Sequence, residues 1–322
     1  MLKSKLNNKE NNGLVTVIIP TMDRPKMLRR CINSILLNTY KNLEIIVSDD
    51  SRLNKSLEVV KQKRKHFHNI KYIKNTGKSV ALAINNAIRL SKGEFIFILD
   101  DDNKIDKNCI AELVKTMNKY KNIGIVGPLA LYYTHKERIM HAGVMRSSFM
   151  RRAIYLHENE IWNNQISEGE VVEDFANAFM FVKKVIYKAG LWDLLVPHMG
   201  EDADFEARVR KAGYKVIINP NAITYHDIPF DPKVTYFLRV NENRMYHSMH
   251  SKILYVYRYD TFLQKLTFTL SVPIYLTFYI VAIIKDRNIG NIKRKLLKAL
   301  FIGTFNGFAD AFRKKNRIEW IR

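Results

Sequence analysis

Short β-branched and aromatic runs alternate with segments whose apolar positions recur every three to four residues, and this alternation governs the first third of the chain. Residues 14–19, Leu-Val-Thr-Val-Ile-Ile, read as a buried strand that Pro20 stops. Pro25 opens a helix in which Met27, Leu28, Cys31, Ile32, Ile35 and Leu36 share one apolar face. Residues 43–48 predict a second strand that ends in Asp49 and Asp50. A weak helix is expected over 58–67, a short strand over 70–73, and a stronger helix over 79–90 with Gly93 as its C′ glycine. The next apolar run, residues 95–99, ends in Asp100, Asp101 and Asp102. This β-α-β-α-β-α-β order predicts an α/β fold built on a parallel, doubly wound sheet with helices on both faces.

Further on the pattern loosens. Strands at 123–127, 178–182 and 215–218 and helices at 183–189 and 202–212 predict a mixed second half. No repeat, low-complexity tract or Pro/Gly-rich linker divides the stretch, so one domain over 14–230 follows a polar N-terminal extension, 1–13. The composition then changes, and 231–322 reads as a C-terminal helical region. Residues 266–284 carry no charge, close to the roughly 20 residues needed to cross a bilayer, although Pro273 lies among them. Residues 296–309 form a second apolar stretch, interrupted by Lys298, Gly303 and Gly307. Between 285 and 322, eleven Lys/Arg outnumber three Asp/Glu, which suits an anionic cytoplasmic leaflet. Residues 239–258, rich in Tyr, His and Arg, are expected as an amphipathic surface beside that leaflet. Both a hairpin through the two apolar segments and an in-plane attachment fit this pattern.

Composition narrows the picture. With 322 residues, 47% of them hydrophobic, the chain can bury a full-sized core, which excludes disorder and a disulfide-stapled miniprotein. A formal charge of +22 attracts phosphate-rich partners: nucleic acid, anionic lipid or a nucleotide. No helix-turn-helix, zinc-finger or RNP1 pattern accompanies it, so no nucleic-acid partner is expected. Cys31 and Cys109 lack metal-ligand spacing and read as free thiols of a reducing compartment. Residues 1–12 contain no apolar h-region, so the expected location is the cytoplasmic side of the cell membrane.

In sheets of this kind ligands bind outside the carboxyl ends of the strands. Thr21 and Asp23, Asp49 and Asp50, and Asp100 to Asp102 each follow a strand, so one acidic cleft is implied. Adjacent carboxylates repel unless a cation joins them, and the D-x-D spacing of Asp100 and Asp102 suits Mg²⁺ or Mn²⁺ bridging to substrate phosphates. By itself that spacing is equally an exposed turn. Gly200 precedes Glu201, Asp202 and Asp204 on the first turn of a helix, where the dipole favours ionised acids. One of them is a candidate general base, or the group caps the helix. His226, after a strand-like run, is by itself more often structural than a ligand.

The motifs then line up in order: Val17-Ile-Ile-Pro-Thr21 with Arg24, Leu43-Glu-Ile-Ile-Val-Ser-Asp-Asp50, Asn75-x-Gly77, Gly93-Glu-Phe-Ile-Phe-Ile-Leu-Asp-Asp-Asp102, Ala178-Phe-Met-Phe-Val-Lys-Lys184, Ala189-Gly-Leu-Trp-Asp193, Gly200-Glu-Asp-Ala-Asp204, Ala212-Gly-Tyr-Lys215 and Tyr225-His226. Over residues 14 to about 250 this series resembles the family-2 glycosyltransferases of the GT-A fold. The resemblance implies a mixed sheet with helices on both faces, and transfer of a sugar from a nucleotide-diphosphate donor with inversion. It implies a nucleotide pocket made by Pro20, Thr21, Asp23, Arg24, Asp50, Asn75, Gly77, Lys78 and Asp101. It also implies Mn²⁺ or Mg²⁺ on Asp100, Asp102 and His226, with Asp202 as the base and Glu201 and Asp204 orienting it or the acceptor.

Relatives with an apolar, basic tail act on lipid-linked glycans or cell-surface polysaccharides, so such an acceptor and a membrane attachment are implied here. A polyprenyl-phosphate sugar synthase is the alternative within the same fold. Relatives often carry Ala-Arg-Asn where this chain has Ala83-Ile84-Asn85, which leaves Lys78 to meet the diphosphate. Gly77-Lys78-Ser79 also mimics the end of a P-loop, but Tyr72 stands where that motif requires glycine.

Overall fold

The computed structural model describes residues 13–77, 79–230, 241–286 and 290–321. Lys78 and residues 1–12 of the N-terminal extension lie outside the described residues. The first half runs β1 (Val15–Thr21), α1 (Pro25–Leu36), β2 (Leu43–Asp49), α2 (Lys55–Arg64), β3 (Ile70–Lys74), α3 (Val80–Leu90) and β4 (Phe95–Leu99). There follow β5 (Asn103–Ile105), α4 (Cys109–Lys119), β6 (Ile123–Tyr132), β7 (Ile139–His141), β8 (Val144–Arg146), β9 (Ala153–Tyr155) and β10 (Ala178–Val182). The chain ends with α5 (Ile186–Ala189), α6 (Glu201–Lys211), β11 (Lys215–His226), α7 (Glu242–Tyr259), α8 (Phe262–Lys285) and α9 (Lys293–Phe312).

The main sheet has the order β3-β2-β1-β4-β10-β6-β11-β5, with β7 on β6, and β8 and β9 pair separately. The first four strands in that order are parallel, β10 is antiparallel to both neighbours, and β11 is parallel to β6. The expected mixed sheet is thus present. Every residue of β1, β2 and β4 is buried, as strands covered by helices on both faces require. Val15, Val17 and Ile19 face one core with Leu28 and Ile32 of α1, while Ile18 faces the other with Ile84 of α3, Trp192 and Phe205 of α6.

Two expectations are corrected by local geometry. Pro20 does not stop β1, which continues to Thr21. Pairing of β1 with β4 ends at Ile18, while pairing with β2 continues to Thr21, whose carbonyl accepts from Asp50 N–H at 2.9 Å. Pro20, one residue earlier, turns toward the side where the ladder has already ended, so its missing N–H costs no hydrogen bond. Gly93 is not a left-handed C′ residue either: α3 ends at Ser91 in extended conformation. Gly93 is needed because a Cβ there would lie 2.6 Å from the Thr16 backbone nitrogen.

The C-terminal helices build a third core from Met249, Ile253, Phe268, Tyr275, Leu296 and Leu300. Helix α9 lies tightly on α7, since a Cβ on Gly303 would stand 2.3 Å from the Tyr246 carbonyl oxygen. Residues 239–258 were expected as a bilayer-facing surface. Instead α7 is interior, with Met245, Met249 and Ile253 covered by α8 and α9 and its polar groups turned to the domain that carries the main sheet. After α9 the chain returns to that domain: Leu191 N–H donates to Glu319 O at 2.9 Å, and Arg317 N–H to Asp193 Oδ1 at 2.7 Å.

Candidate active site

Parallel pairing brings the carboxyl ends of β1, β2 and β3 to one edge, with Thr21 opposite Asp49 and Asp49 opposite Lys74. Asp23 adopts a left-handed backbone (φ 56°), fixed by its N–H on Ser51 Oγ at 2.7 Å and by its carboxylate accepting from Arg52 N–H at 3.2 Å. Burial pushes the Asp50 carboxyl up to about 6, against a hydrogen bond from the Ser79 N–H. Its Oδ1 is buried without a partner. Asn75 spends both ends of its amide on the scaffold, donating to Ser48 Oγ and accepting from Asn86 Nδ2, each at 2.9 Å. It therefore shapes the turn that carries Gly77.

The three aspartates after β4 have unlike surroundings. Asp101 is fully buried and accepts from Thr21 Oγ1 at 2.5 Å and Arg24 Nη2 at 2.6 Å. Burial raises it to about 6 in spite of these partners. Arg24 Nη1 also reaches Asp102 Oδ2 at 2.7 Å, so one guanidinium clamps both acids. Burial pushes Asp102 up, but His226 and Arg24 outweigh it and bring the carboxyl to about 2. The pairing of His226 with Asn103 across β11 and β5 sets the imidazole there, with Nε2 3.2 Å from Asp102 Oδ1. Asp100 has no such clamp. Burial, then Asp102, Asp202 and Asp101, raise it well above the ordinary carboxylate range.

The inclusion of Asp202 in that set ties the second acidic motif to the first. Gly200 precedes α6 at φ 112°, and Glu201 accepts from the Gly200 N–H at 3.0 Å. Burial, with Asp100 nearby, raises Glu201 to about 7. Asp202 Oδ1 accepts from Trp192 Nε1 at 3.2 Å. Burial and Glu201 nevertheless hold the Asp202 carboxyl well above its usual range. Asp204, expected to orient the base or the acceptor, is turned elsewhere. It is 2% exposed and accepts from Arg208 Nε at 3.0 Å, Arg258 Nη1 at 2.8 Å and the Tyr259 hydroxyl at 2.6 Å. It fastens α6 to α7 and does not face an acceptor.

Sequence reasoning passed over Trp192 and Asn85. The indole stacks on Phe205 with centroids 3.9 Å apart, and Asn85 grips the Trp192 backbone through two 2.9 Å bonds, one to the N–H and one to the carbonyl. Trp192 lies within the Gly-Leu-Trp-Asp motif, which signals a shared turn but not the bond to Asp202. Glu206, one turn after Asp202, is also buried; it accepts from Phe175 N–H at 3.0 Å and leaves Oε1 without a partner.

Among the described residues, no three His, Cys, Asp or Glu side chains form a ready-made cage for a metal. The donors nevertheless fit a hard cation shared with a phosphate ligand. Asp102 Oδ1 is buried without a hydrogen bond beside an imidazole nitrogen, and Asp100 lies among more carboxylates than the single Arg24 cation offsets.

Comparison with known proteins agrees with this arrangement. The family model described as Glycosyl transferase family 2 matches residues 16–185, more than half of the chain. Glycosyltransferase GlyA of Streptococcus pneumoniae is 27% identical over 217 residues, which cover 66% of this chain and 30% of GlyA. The GalNAc(5)-diNAcBac-PP-undecaprenol beta-1,3-glucosyltransferase of Campylobacter jejuni is 34% identical over 107 residues, 33% of this chain and 35% of that protein. A Methanococcus voltae dolichyl N-acetyl-alpha-D-glucosaminyl phosphate 3-beta-D-2,3-diacetamido-2,3-dideoxy-beta-D-glucuronosyltransferase is 22% identical over 227 residues, 66% of each chain. The chain thus spans about a third of the length of the first two relatives. The crystal structure of GalNAc-T7 with UDP, GalNAc and Mn²⁺ shares the fold at TM-score 0.65 and 15% identity, over 94% of this chain and 57% of that one. From the strand-end acids, the GT-A fold and the family match, the chain belongs to glycosyl transferase family 2.

Proposed function

We propose that the protein transfers a sugar, with inversion, from a nucleoside-diphosphate sugar to a hydroxyl of a lipid-linked glycan or cell-surface polysaccharide, using Mn²⁺ or Mg²⁺. The observation that supports this reading is that Asp202, from a distant stretch, lies close enough to Asp100 to raise its proton affinity, both carboxyls being half-buried. Asp50 would accept from a base N–H, with Thr21 to Arg24 forming the wall beside it. Asp100, Asp102 and His226 would hold the cation. When bound, it would neutralise the charge that grows on the leaving diphosphate.

The base is Asp202 in this reading. A carboxylate whose proton affinity is raised by burial is a stronger base near neutral pH. It takes the proton of the acceptor hydroxyl as that oxygen attacks the anomeric carbon from the face opposite the diphosphate. The bond from that carbon to the phosphate oxygen breaks, and its electron pair leaves with the diphosphate. Trp192 would keep the Asp202 oxygen aimed, and no covalent nucleophile is needed.

The reading includes attachment to the cytoplasmic face of the cell membrane through α8 and α9. The Campylobacter relative carries PP-undecaprenol in its name and the Methanococcus relative a dolichyl phosphate, which supports a lipid-linked acceptor. The full-length protein would be incubated with UDP-, GDP- and dTDP-sugars, with and without Mn²⁺. Nucleoside diphosphate should be released from one donor class, and chelation should stop it. A chain neither stabilised by nor active on any of them would sink the reading, and undiminished turnover in chelator would remove the metal from it.

A further inference from the structure

Helix α8 is long and apolar enough to cross a membrane. Its packing is at odds with a crossing. The Tyr257 hydroxyl lies 2.9 Å from Thr269 Oγ1, the Lys252 ammonium 4.1 Å from the Tyr275 ring centroid, and Ser248 hydrogen-bonds Tyr279. These contacts step backward along α7 while stepping forward along α8. The two helices are therefore antiparallel neighbours through most of their length.

The other side of α7 is fixed to the catalytic domain. Arg258 reaches Asp193 at 2.9 Å and Asp204 at 2.8 Å, Arg210 donates to the Tyr255 hydroxyl at 2.9 Å, and Ser251 Oγ donates to His198 O at 3.3 Å. If α8 stood upright in a bilayer, α7 would be carried in beside it, with Lys252, Arg258, His247 and His250. Ionisable side chains at that depth are costly unless paired or watered.

The outward face of α8 gives the alternative. Leu266, Leu270, Ile274, Phe278 and Val281 recur at helical spacing and are all exposed. On α9, Phe301, Phe305 and Phe312 are exposed as well. Exposed Lys285, Arg294, Lys295 and Lys298 lie near the turn between the two helices. Apolar stripes bordered by cations match the acyl boundary and headgroups of an anionic leaflet.

We infer that α8 lies in the plane of the membrane interface and, with α9, seats the protein on one leaflet without crossing it. This rests on the membrane attachment proposed above and adds its geometry. The loop before α6 then stands one helix, about 10 Å, from the lipid-facing layer. An acceptor sugar on a lipid carrier would approach Asp202 from that side.

The test is flotation of the full-length protein with vesicles of phosphatidylcholine, with or without phosphatidylglycerol, joined to labelling by a membrane-impermeant maleimide. Native Cys31 and Cys109 are buried, so the background is low. Thr261→Cys and Lys285→Cys, at exposed opposite ends of α8 and outside its apolar stripe, should both react from outside intact vesicles. A Lys285→Cys that reacts only after detergent would overturn the in-plane placement. Leu270→Asp with Ile274→Asp, both on the outward face, should cut the floated fraction by about tenfold while the melting temperature holds. Unchanged flotation would overturn the surface assignment. A wild-type chain that fails to float even with phosphatidylglycerol would overturn the attachment itself, with nucleotide-sugar turnover in solution still reporting separately on catalysis.

Discussion

The turn after β4 and the first turn of α6 are both runs of acids, and the structure supplies their members unequally with donors. In the first, Asp102 is clamped by Arg24 and faced by His226, while Asp100 is left among like charges. In the second, Asp204 is saturated by Arg208, Arg258 and Tyr259, while Asp202 keeps a single side-chain donor, Trp192. Neighbours within two residues thus differ in the donors that surround them. A carboxylate with donors on both oxygens, like Asp204, holds structure. One that is buried and under-supplied has affinity left over for a proton or a cation.

Replacing the two α6 acids separately gives the strongest test. Asp202→Asn should lower turnover by about a thousandfold, the scale of a lost general base, with nucleotide affinity and melting temperature nearly unchanged. Asp204→Asn should do the reverse. It leaves Arg208 short of its buried counter-charge and Arg258 with Asp193 alone, a loss of about 3 kcal/mol. That corresponds to a melting temperature lower by on the order of 10 °C, with turnover per folded molecule largely kept. Calorimetry beside a donor-consumption assay separates the two. Equal loss of turnover in both, with equal melting, would erase the division. A fully active Asp202→Asn would instead favour a phosphate acceptor, which needs no strong base.

That division was only partly legible in the sequence. The apolar runs of β1, β2 and β4 end in polar residues, so the shared edge follows from parallel pairing alone. Which acid in each run is saturated does not. Asp204 is matched by Arg258 and Tyr259 from a helix some fifty residues on, and Asp202 by an indole that Asn85 holds from α3. Those partners are chosen by tertiary packing, which leaves no local period. The misreading of α7 has the same origin: its His and Arg residues imitate a solvated face, whereas Arg258 meets α6, His247 the loop before it and His250 α9. Pro20 misled in a simpler way, because one-sided pairing removes the need for its N–H.

Trp192→Phe sharpens the comparison with a smaller effect. Phenylalanine keeps the stack on Phe205 and deletes the N–H that lowers the proton affinity of Asp202. The Asp202 carboxyl should move further up, so less of it is ionised at neutral pH. Turnover should fall about tenfold, the acid limb of its pH profile should shift to higher pH, and alkaline buffer should restore part of the loss. A uniform drop at every pH would mean that the indole only fills space.

Asp50 is the mildest case, an acid with one backbone donor and one orphaned oxygen. Its burial-raised value of about 6 fixes the sign of two effects. The unfolded chain releases this proton near the ordinary 3.8, while the folded one holds it to about 6, so its contribution to stability falls as pH rises between those values. Binding runs the other way, because the ionised carboxylate accepts from a base N–H more strongly than the neutral acid does. Affinity for uridine or guanosine diphosphate should therefore rise about fivefold from pH 5 to pH 7, equivalent to one hydrogen bond of roughly 1 kcal/mol. Asp50→Asn should flatten that rise and relieve the stability loss above pH 6. Titration calorimetry at the two pH values measures the first and thermal unfolding the second. An affinity in the wild type that is level across the interval would mean that Asp50 meets no base edge, and the nucleoside pocket would have to be drawn without it.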